Sequence, residues 1–259
     1  AMTFKVASEE ARRIAGEVIP LDLAPHGKGR FALTRRFPIG PVAAISPFNF
    51  PLNLSAHKLA PAIAAGDPIV LKPASKTPIS ALTLAAILQR AGLPDGALSV
   101  LPMTRKTGNR LVTDKRYKLL TFTGSSAVGW GMKARAGTKR VLLELGGNAG
   151  LIVDDSADLE YAAKRISVGG FALAGQSCIS VQRVFVHERI MEEFNRRLIA
   201  HVERLRVGDP LDPATDVGPL IEPDEVDRVE AWVQEAVKSG ATVLTGGTRI
   251  GRTMYAPTV

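Results

Sequence analysis

Residues 41–92 read PVAAISPFNFPLNLSAHKLAPAIAAGDPIVLKPASKTPISALTLAAILQRAG, and this stretch decides the fold. Two short apolar runs, at 41–46 and 68–73, predict buried strands, and each is followed by a longer segment with apolar residues at helical spacing, at 53–66 and 79–92. Both longer segments end in glycine, which is typical of a helix C-terminus. Strands that alternate with helices in this way indicate an α/β fold with a parallel, doubly wound sheet.

The alternation extends in both directions from this stretch. We predict an amphipathic helix at 5–19, within a first segment 1–19, and an extended hairpin at 20–38. A first α/β domain spans 39–146 and a second spans 147–259. Further strands are predicted at 97–102, 118–124, 141–147, 151–153, 181–187 and 241–247, and further helices at 125–137, 159–174, 188–205 and 223–239.

The composition excludes several classes of protein. The chain has 259 residues, of which 46% are hydrophobic and 22% charged, and this indicates a globular protein rather than a disordered or collagen-like one. Its single cysteine, Cys178, cannot form an intrachain disulfide and has too few companions for a thiolate metal site, so we expect no metal. With no apolar run of membrane-spanning length and no signal peptide, we expect a cytoplasmic protein without membrane partners.

The net charge of +8 raises the question of nucleic-acid binding. Lys and Arg are spread along the chain, and their densest clusters, at 28–36 and 105–110, contain no aromatic residues arranged to stack on bases. A solvated basic surface is therefore the favoured interpretation, and we predict no nucleic-acid partner. A smaller anion, such as a dinucleotide, is compatible with this charge.

Three residues with catalytic chemistry lie at or near ends of predicted strands. Cys178, in AGQSCIS, is a nucleophile if its thiol is accessible, whereas a lone cysteine is otherwise a small buried side chain. Glu144, in LLELGG, is either a functional carboxylate or half of a structural ion pair. Asn49, in SPFNFP, either donates its amide to an oxyanion or closes an Asx turn.

Two further segments have the chemistry to bind phosphate or ribose. Lys72, in VLKP, ends the second strand, although a lysine in such a place is often simply solvated. Gly124, Ser125 and Gly129 lie where a strand passes into a helix, and a helix N-terminus can bind phosphate. This segment matches neither the G-x-G-x-x-G motif nor the P-loop, so a tight structural turn is the alternative.

The segments SPFNFP, VLKPA, FTGSSAVG, LELGGN and AGQSC occur in this order and together resemble the aldehyde dehydrogenase superfamily. Lys72 follows Asn49 by 23 residues and Cys178 follows Glu144 by 34, and both spacings match that family. The resemblance implies NAD(P)-dependent oxidation of an aldehyde to a carboxylic acid. It assigns Cys178 as the nucleophile, Asn49 as an oxyanion donor and Glu144 as the general base, through a thiohemiacetal and a thioester.

The same resemblance implies a cofactor site for NAD or NADP. It assigns cofactor contacts to Lys72, Ser75, Gly124, Ser125, Gly129 and Glu144. Ser75 stands where NAD-preferring members of the family commonly have a glutamate, so we predict that NADP is at least tolerated. It further implies that 39–146 binds the cofactor, that 147–259 is an incomplete catalytic domain and that the hairpin at 20–38 mediates homo-oligomerisation, as a dimer or tetramer in the full-length form.

Relative to the family, the chain is expected to be truncated at both ends, and this leaves alternatives open. One is an acylating enzyme that passes the thioester to coenzyme A, which Glu144 argues against because the hydrolytic branch needs a base. Another is a catalytically impaired fragment that acts as a binding or assembly module. The sequence does not identify the aldehyde, and we name Arg183 only as a candidate contact for an acidic substrate.

Overall fold

The computed structural model describes residues 1–259, which form two compact units, Ala1–Leu145 and Gly146–Val259. Both units combine helices with parallel strands. The predicted α/β fold with a parallel, doubly wound sheet is therefore confirmed. None of the helices is both long and apolar enough to cross a membrane.

The N-terminal part of the first unit differs from the predicted helix at 5–19. Helix α1 covers Met2–Ala11 only. Strand β1 (Val18–Pro20) instead pairs antiparallel with β2 (Phe31–Leu33), with Ile19 opposite Ala32. The prediction is wrong for residues 12–19 because pairing with a distant segment competes there with the local helical pattern.

The first unit is built on a five-stranded parallel sheet with the order β5-β4-β3-β6-β7. Its strands are β3 (Val42–Ile45), β4 (Ile69–Lys72), β5 (Leu98–Val100), β6 (Leu119–Thr123) and β7 (Arg140–Glu144). The chain runs outward from β3 through β4 to β5, and then places β6 and β7 on the other side of β3. The direction of winding therefore reverses between β3 and β6, and open α/β sheets bind ligands at the carboxyl end of such a switch point.

Both faces of this sheet are covered by helices. Helices α2 (Pro51–Ala65) and α3 (Ile79–Arg90) pack on one face, against Val42 and Ala44 of β3. Helix α4 (Arg105–Thr113) packs on the other face, against Ala43 and Ile45, and α5 (Ser126–Arg135) follows β6. Successive residues of β3 point to opposite faces and all four are buried, so the strand is apolar throughout.

The second unit contains a two-stranded parallel sheet, β8 (Ala149–Val153) and β9 (Val181–Val186). Its helices are α6 (Leu159–Phe171), α7 (Met191–Glu203) and α8 (Pro223–Lys238). One core joins α6 and α7 to the sheet around Phe194, and a smaller cluster joins Val226 of α8 to Leu220 and Tyr255.

Two elements depart from the pattern read from the sequence. Helix α4 was not predicted; Thr104 accepts a hydrogen bond from the amide of Thr107 at its N-terminus, and Leu111 and Val112 bury its apolar side. The predicted strand at 241–247 is absent. The amide of Ala241 bonds back to the carbonyl of Ala236 at the end of α8, and Gly246 and Gly247 have positive φ, so the segment does not remain extended.

Candidate active site

The carboxyl ends of the strands bring most of the candidate residues of the first unit to one edge of the sheet. Lys72 pairs with Ile45 at the ends of β4 and β3, and Glu144 pairs with Thr123 at the ends of β7 and β6. The loops that continue from β3, β4 and β6 carry Asn49, Ser75 and Gly124 with Ser125, respectively, and Gly129 lies in the first turns of α5. This edge, at the switch point of the sheet, is where the fold predicts ligand binding.

Asn49 lies in the short loop between β3 and α2. Pro51 begins α2, and its fixed φ is suited to the first turn of a helix. The start of the loop is fixed because the amide of Ser46 donates to the carbonyl of Lys72 at 3.1 Å and the Ser46 hydroxyl accepts from the Ser55 hydroxyl, also at 3.1 Å. Asn49 follows Ser46 by three residues, and its Oδ1 atom is buried.

Lys72 is buried rather than solvated, with 7% of its surface exposed. Its Nζ atom donates to the carbonyl of Pro73 at 3.2 Å. Burial, and to a smaller extent the nearby Arg105 guanidinium, lower the pKa of Lys72 below its usual value. Gly108 leaves room for the lysine stem, because a Cβ atom there would lie 3.0 Å from Cδ of Lys72.

Ser125 is the N-cap residue of α5, and its hydroxyl forms no capping hydrogen bond with that helix. The two glycines beside it make room for the protein's own side chains. A Cβ atom at Gly124 would lie 2.5 Å from Cζ of Phe122, and one at Gly129 would lie 2.5 Å from Cδ2 of Leu145. The two glycines thus support the alternative that this segment is a tight structural turn. Ser125 is nevertheless exposed at the start of the helix, and Ser75 is exposed in the turn after β4.

Glu144 ends β7 with its side chain exposed. Its charge acts on Lys58 of α2, a residue that no sequence motif singled out. The Nζ atom of Lys58 donates to Oγ1 of Thr123 at 2.8 Å and to Oγ1 of Thr121 at 3.0 Å. Burial lowers the pKa of Lys58 to about 8, and the Glu144 carboxylate partly opposes this shift. Lys58 lies one helical turn after Ser55 and one before Ala62, so all three residues are on the buried side of α2. A charged residue on the apolar face of a helix is the sequence pattern that could have identified Lys58 as a functional candidate.

Cys178 belongs to the second unit and lies in a turn between α6 and β9. Its side chain is exposed, so the alternative of a small buried cysteine is wrong. Gly147 comes close to this turn, because a Cβ atom there would lie 2.6 Å from the carbonyl oxygen of Cys178. Arg183 of β9 donates from Nη2 to the carbonyl of Asn148 at 3.1 Å and stacks on the ring of Phe185.

The donors at the sheet edge have the chemistry that a dinucleotide requires. Lys72 and Arg105 supply two cations, Ser125 supplies a hydroxyl, and α5 begins at this edge with no acidic residue in its first turn. Such groups suit a pyrophosphate and the hydroxyls of a ribose. No group of three or more His, Cys, Asp or Glu side chains is placed to hold a metal ion.

Comparison with known proteins identifies the family. The model of the aldehyde dehydrogenase family matches residues 1–259, the whole of the chain. A curated relative, the 3-sulfolactaldehyde dehydrogenase of Priestia megaterium, is 48% identical over 260 residues, which cover 100% of this chain and 54% of the relative.

Solved structures give the same result. Aldehyde dehydrogenase 21 of Physcomitrella patens, in complex with the reaction product succinate, is 51% identical with a TM-score of 0.95, and the match covers 99% of this chain and 54% of that one. The glyceraldehyde-3-phosphate dehydrogenase of Methanocaldococcus jannaschii, complexed with NADP, is 41% identical with a TM-score of 0.92, over 99% of this chain and 56% of that one. The chain thus spans about half the length of the relatives that it matches.

Proposed function

Because this chain belongs to the aldehyde dehydrogenase family, we propose that its protein oxidises an aldehyde to a carboxylic acid with NAD or NADP. The observation that carries the proposal is Cys178, the single cysteine of the chain, exposed in a turn of the second unit. In the first unit, an amide, a lysine and a carboxylate gather at the carboxyl edge of a doubly wound sheet. The Cys178 thiol supplies a soft nucleophile, the amide supplies a hydrogen-bond donor and the carboxylate supplies a base.

The reaction begins when the Cys178 thiolate adds to the aldehyde carbon, forming a C–S bond and an oxyanion. We assign the side-chain amide of Asn49 and the backbone N–H of Cys178 as donors to that oxyanion. A bound nicotinamide cofactor supplies the hydride acceptor that this chemistry requires. Once the thiohemiacetal carbon has lost its hydride, Cys178 carries a thioester.

Glu144 is assigned as the base for the hydrolytic step. It takes a proton from the attacking water, whose oxygen bonds to the thioester carbon; the C–S bond then breaks, and the carboxylic acid leaves while the Cys178 thiolate is regenerated. The buried Lys58, which binds Thr123 beside Glu144 in the sheet, is suited to stabilise the Glu144 carboxylate while that carboxylate is unprotonated. Water is the acceptor in this scheme, so product formation requires no added coenzyme A.

Lys72, Ser75 and Ser125 are the residues we assign to hold the cofactor, with Gly124 and Gly129 shaping the turn that presents Ser125. Two features favour acceptance of the 2′-phosphate of NADP. Ser75 places no negative charge in the turn after β4, and the Arg105 guanidinium lies close enough to Lys72 to affect its pKa. Turnover measured against the concentration of NAD and, separately, of NADP is expected to show activity with NADP. A large preference for NAD would contradict this assignment.

For the substrate we propose a short aldehyde that carries an anionic group. Relatives of this chain are named for 3-sulfolactaldehyde, and a solved relative holds succinate. The matching comparison is between succinic semialdehyde and butanal, which has the same chain length and no carboxylate. We expect a higher kcat/KM for succinic semialdehyde, and equal values for the two aldehydes would refute the anionic class.

The test of the function itself is aldehyde-dependent formation of reduced nicotinamide. Cys178→Ala is expected to abolish turnover, because no other cysteine among these 259 residues can take its place. Glu9→Gln, at an exposed position on α1, serves as a control and is expected to retain wild-type turnover. Turnover by Cys178→Ala at the wild-type rate would rule out covalent catalysis by this residue.

A further inference from the structure

The backbone just before Cys178 adopts an unusual conformation. Leu173 and Ala174 have φ values of 55° and 54°, and Gly175 follows with a φ of 70°. A left-handed conformation is unfavourable at a residue other than glycine and persists only where the surroundings hold it. Some contact must therefore fix this turn.

The side chain of Gln176 provides such a contact. Its Nε2 atom donates to the carbonyl of Leu173 at 3.0 Å and approaches the carbonyl of Pro219 at 3.4 Å. Its Oε1 atom accepts from the amide of Ile221 at 2.9 Å. A carboxamide has a donor and an acceptor side by side, so one side chain binds both the local turn and a segment more than forty residues away.

The segment that Gln176 reaches is itself firmly placed. Leu220 is buried against Val226 and Tyr255, and its amide donates to the carbonyl of Thr253 at 2.8 Å. Ala174, within the left-handed turn, packs against the same cluster. Gln176 thus connects the turn before Cys178 to part of a hydrophobic core, and not to a loose loop.

The chain is also fixed just after Cys178. Ser180 is 3% exposed, and its hydroxyl donates to the carbonyl of Gly170 at 3.0 Å. The same hydroxyl accepts from Nε2 of Gln182 at 2.8 Å. Cys178 therefore lies between two tethered residues while its own side chain remains exposed.

We propose that Gln176 is a positioning residue that holds the Cys178 thiol in its reactive orientation. The inference deepens the proposed function, because it rests on Cys178 being the nucleophile. Glutamate at position 176 has the same shape but no donor for the carbonyls of Leu173 and Pro219, and it places a negative charge two residues from the thiol. Alanine at this position removes the contact altogether.

Cys178 is the single cysteine of these 259 residues, so alkylation of this chain by iodoacetamide, followed at the peptide that contains Cys178, reports on that thiol directly. We would measure the second-order alkylation rate against pH for wild type, Gln176→Glu, Gln176→Ala and the urea-unfolded chain, with folding checked by circular dichroism. Gln234→Glu, at an exposed position on α8, is the matched control for the charge change.

We expect Gln176→Glu to slow alkylation several-fold at neutral pH, because it places a negative charge near the thiol and removes the donor that holds the turn. The Gln176→Ala profile is expected to move towards that of the unfolded chain, and Gln234→Glu to match wild type. If both folded Gln176 variants keep the wild-type profile, or if the folded and unfolded wild-type profiles coincide, the proposal is wrong. Since alkylation requires neither aldehyde nor cofactor, these results are independent of the Cys178→Ala turnover test.

Discussion

At the scale of single residues, the candidate site depends on groups whose surroundings change their chemistry. Lys58 is a cation buried beneath the sheet edge, with two threonine hydroxyls as hydrogen-bond partners. Cys178 is exposed on a turn whose carbonyl is approached closely by Gly147. Each of these observations leads to a measurement on a single side chain.

The closeness of Gly147 to the Cys178 turn predicts that even a methyl group will disturb it. In Gly147→Ala the new Cβ would lie 2.6 Å from the carbonyl oxygen of Cys178, and backbone must move to relieve that contact. We expect turnover and the alkylation rate of Cys178 to change at least several-fold.

Gly146→Ala is the matched control, because a Cβ atom at Gly146 meets nothing within 4 Å. It is expected to behave like wild type. Equal effects of the two substitutions would show that the close approach at Gly147 has no special role.

Burial of Lys58 predicts a pH-dependent contribution to stability. The folded-state pKa is lowered from 10.5 to about 8, so between these values the unfolded chain binds more protons than the folded chain. The contribution of Lys58 to the free energy of unfolding therefore rises with pH across this window, by about 3 kcal/mol, and is fully unfavourable below it.

Lys58→Met removes the titrating group, so this rise is expected to be missing from its unfolding free energy measured by denaturant at several pH values. Lys115→Met, at an exposed position, is the control and should follow wild type. A Lys58→Met variant with the full pH dependence of wild type would disprove the assignment of the low pKa.

At the scale of elements, most of the alternating strands and helices of the first unit were predictable, because each strand contains a short apolar run and the helices after β3 and β4 bury an apolar face. The failures have physical causes that local patterns do not contain. Residues 18–20 pair with 31–33, and the amide of Leu244 donates to the carbonyl of Val259 at 2.8 Å, so contacts with more distant parts of the chain help to set both structures. Helix α4 was missed because its apolar residues are few and lie near its end.

The hairpin formed by β1 and β2 exposes large apolar side chains, including Val18, Phe31 and Leu33, each more than 60% exposed. Exposed apolar side chains of this kind are typical of an interface, and the contact of this hairpin with a second copy of the chain stays a prediction. We expect Phe31→Glu combined with Leu33→Glu to lower the oligomeric mass measured by light scattering.

Lys28→Glu changes the charge of the same hairpin at an exposed polar position and is expected to leave the oligomer intact. If the wild type is monomeric, or if the double variant keeps the oligomeric mass of the wild type, the prediction that the hairpin forms the interface is wrong.

At the scale of the whole molecule, the sequence indicated most of the candidate site because its residues cluster in motifs at strand ends. Lys58 and Gln176 were not found in this way. Lys58 contacts Thr123, and Gln176 contacts Ile221. Such residues are far apart in the sequence, so a local sequence pattern does not predict their contact. The chain spans about half the length of its relatives, so the activity of the whole protein is the claim that most needs a direct test.

The most direct test is the intact mass of Glu144→Gln after incubation with succinic semialdehyde and NADP, with Glu9→Gln as the control. Without the base for hydrolysis, we predict one equivalent of reduced nicotinamide and an acyl group on Cys178 that survives in Glu144→Gln but not in wild type. Unmodified Cys178, or Glu144→Gln turnover at the wild-type rate, would contradict the account.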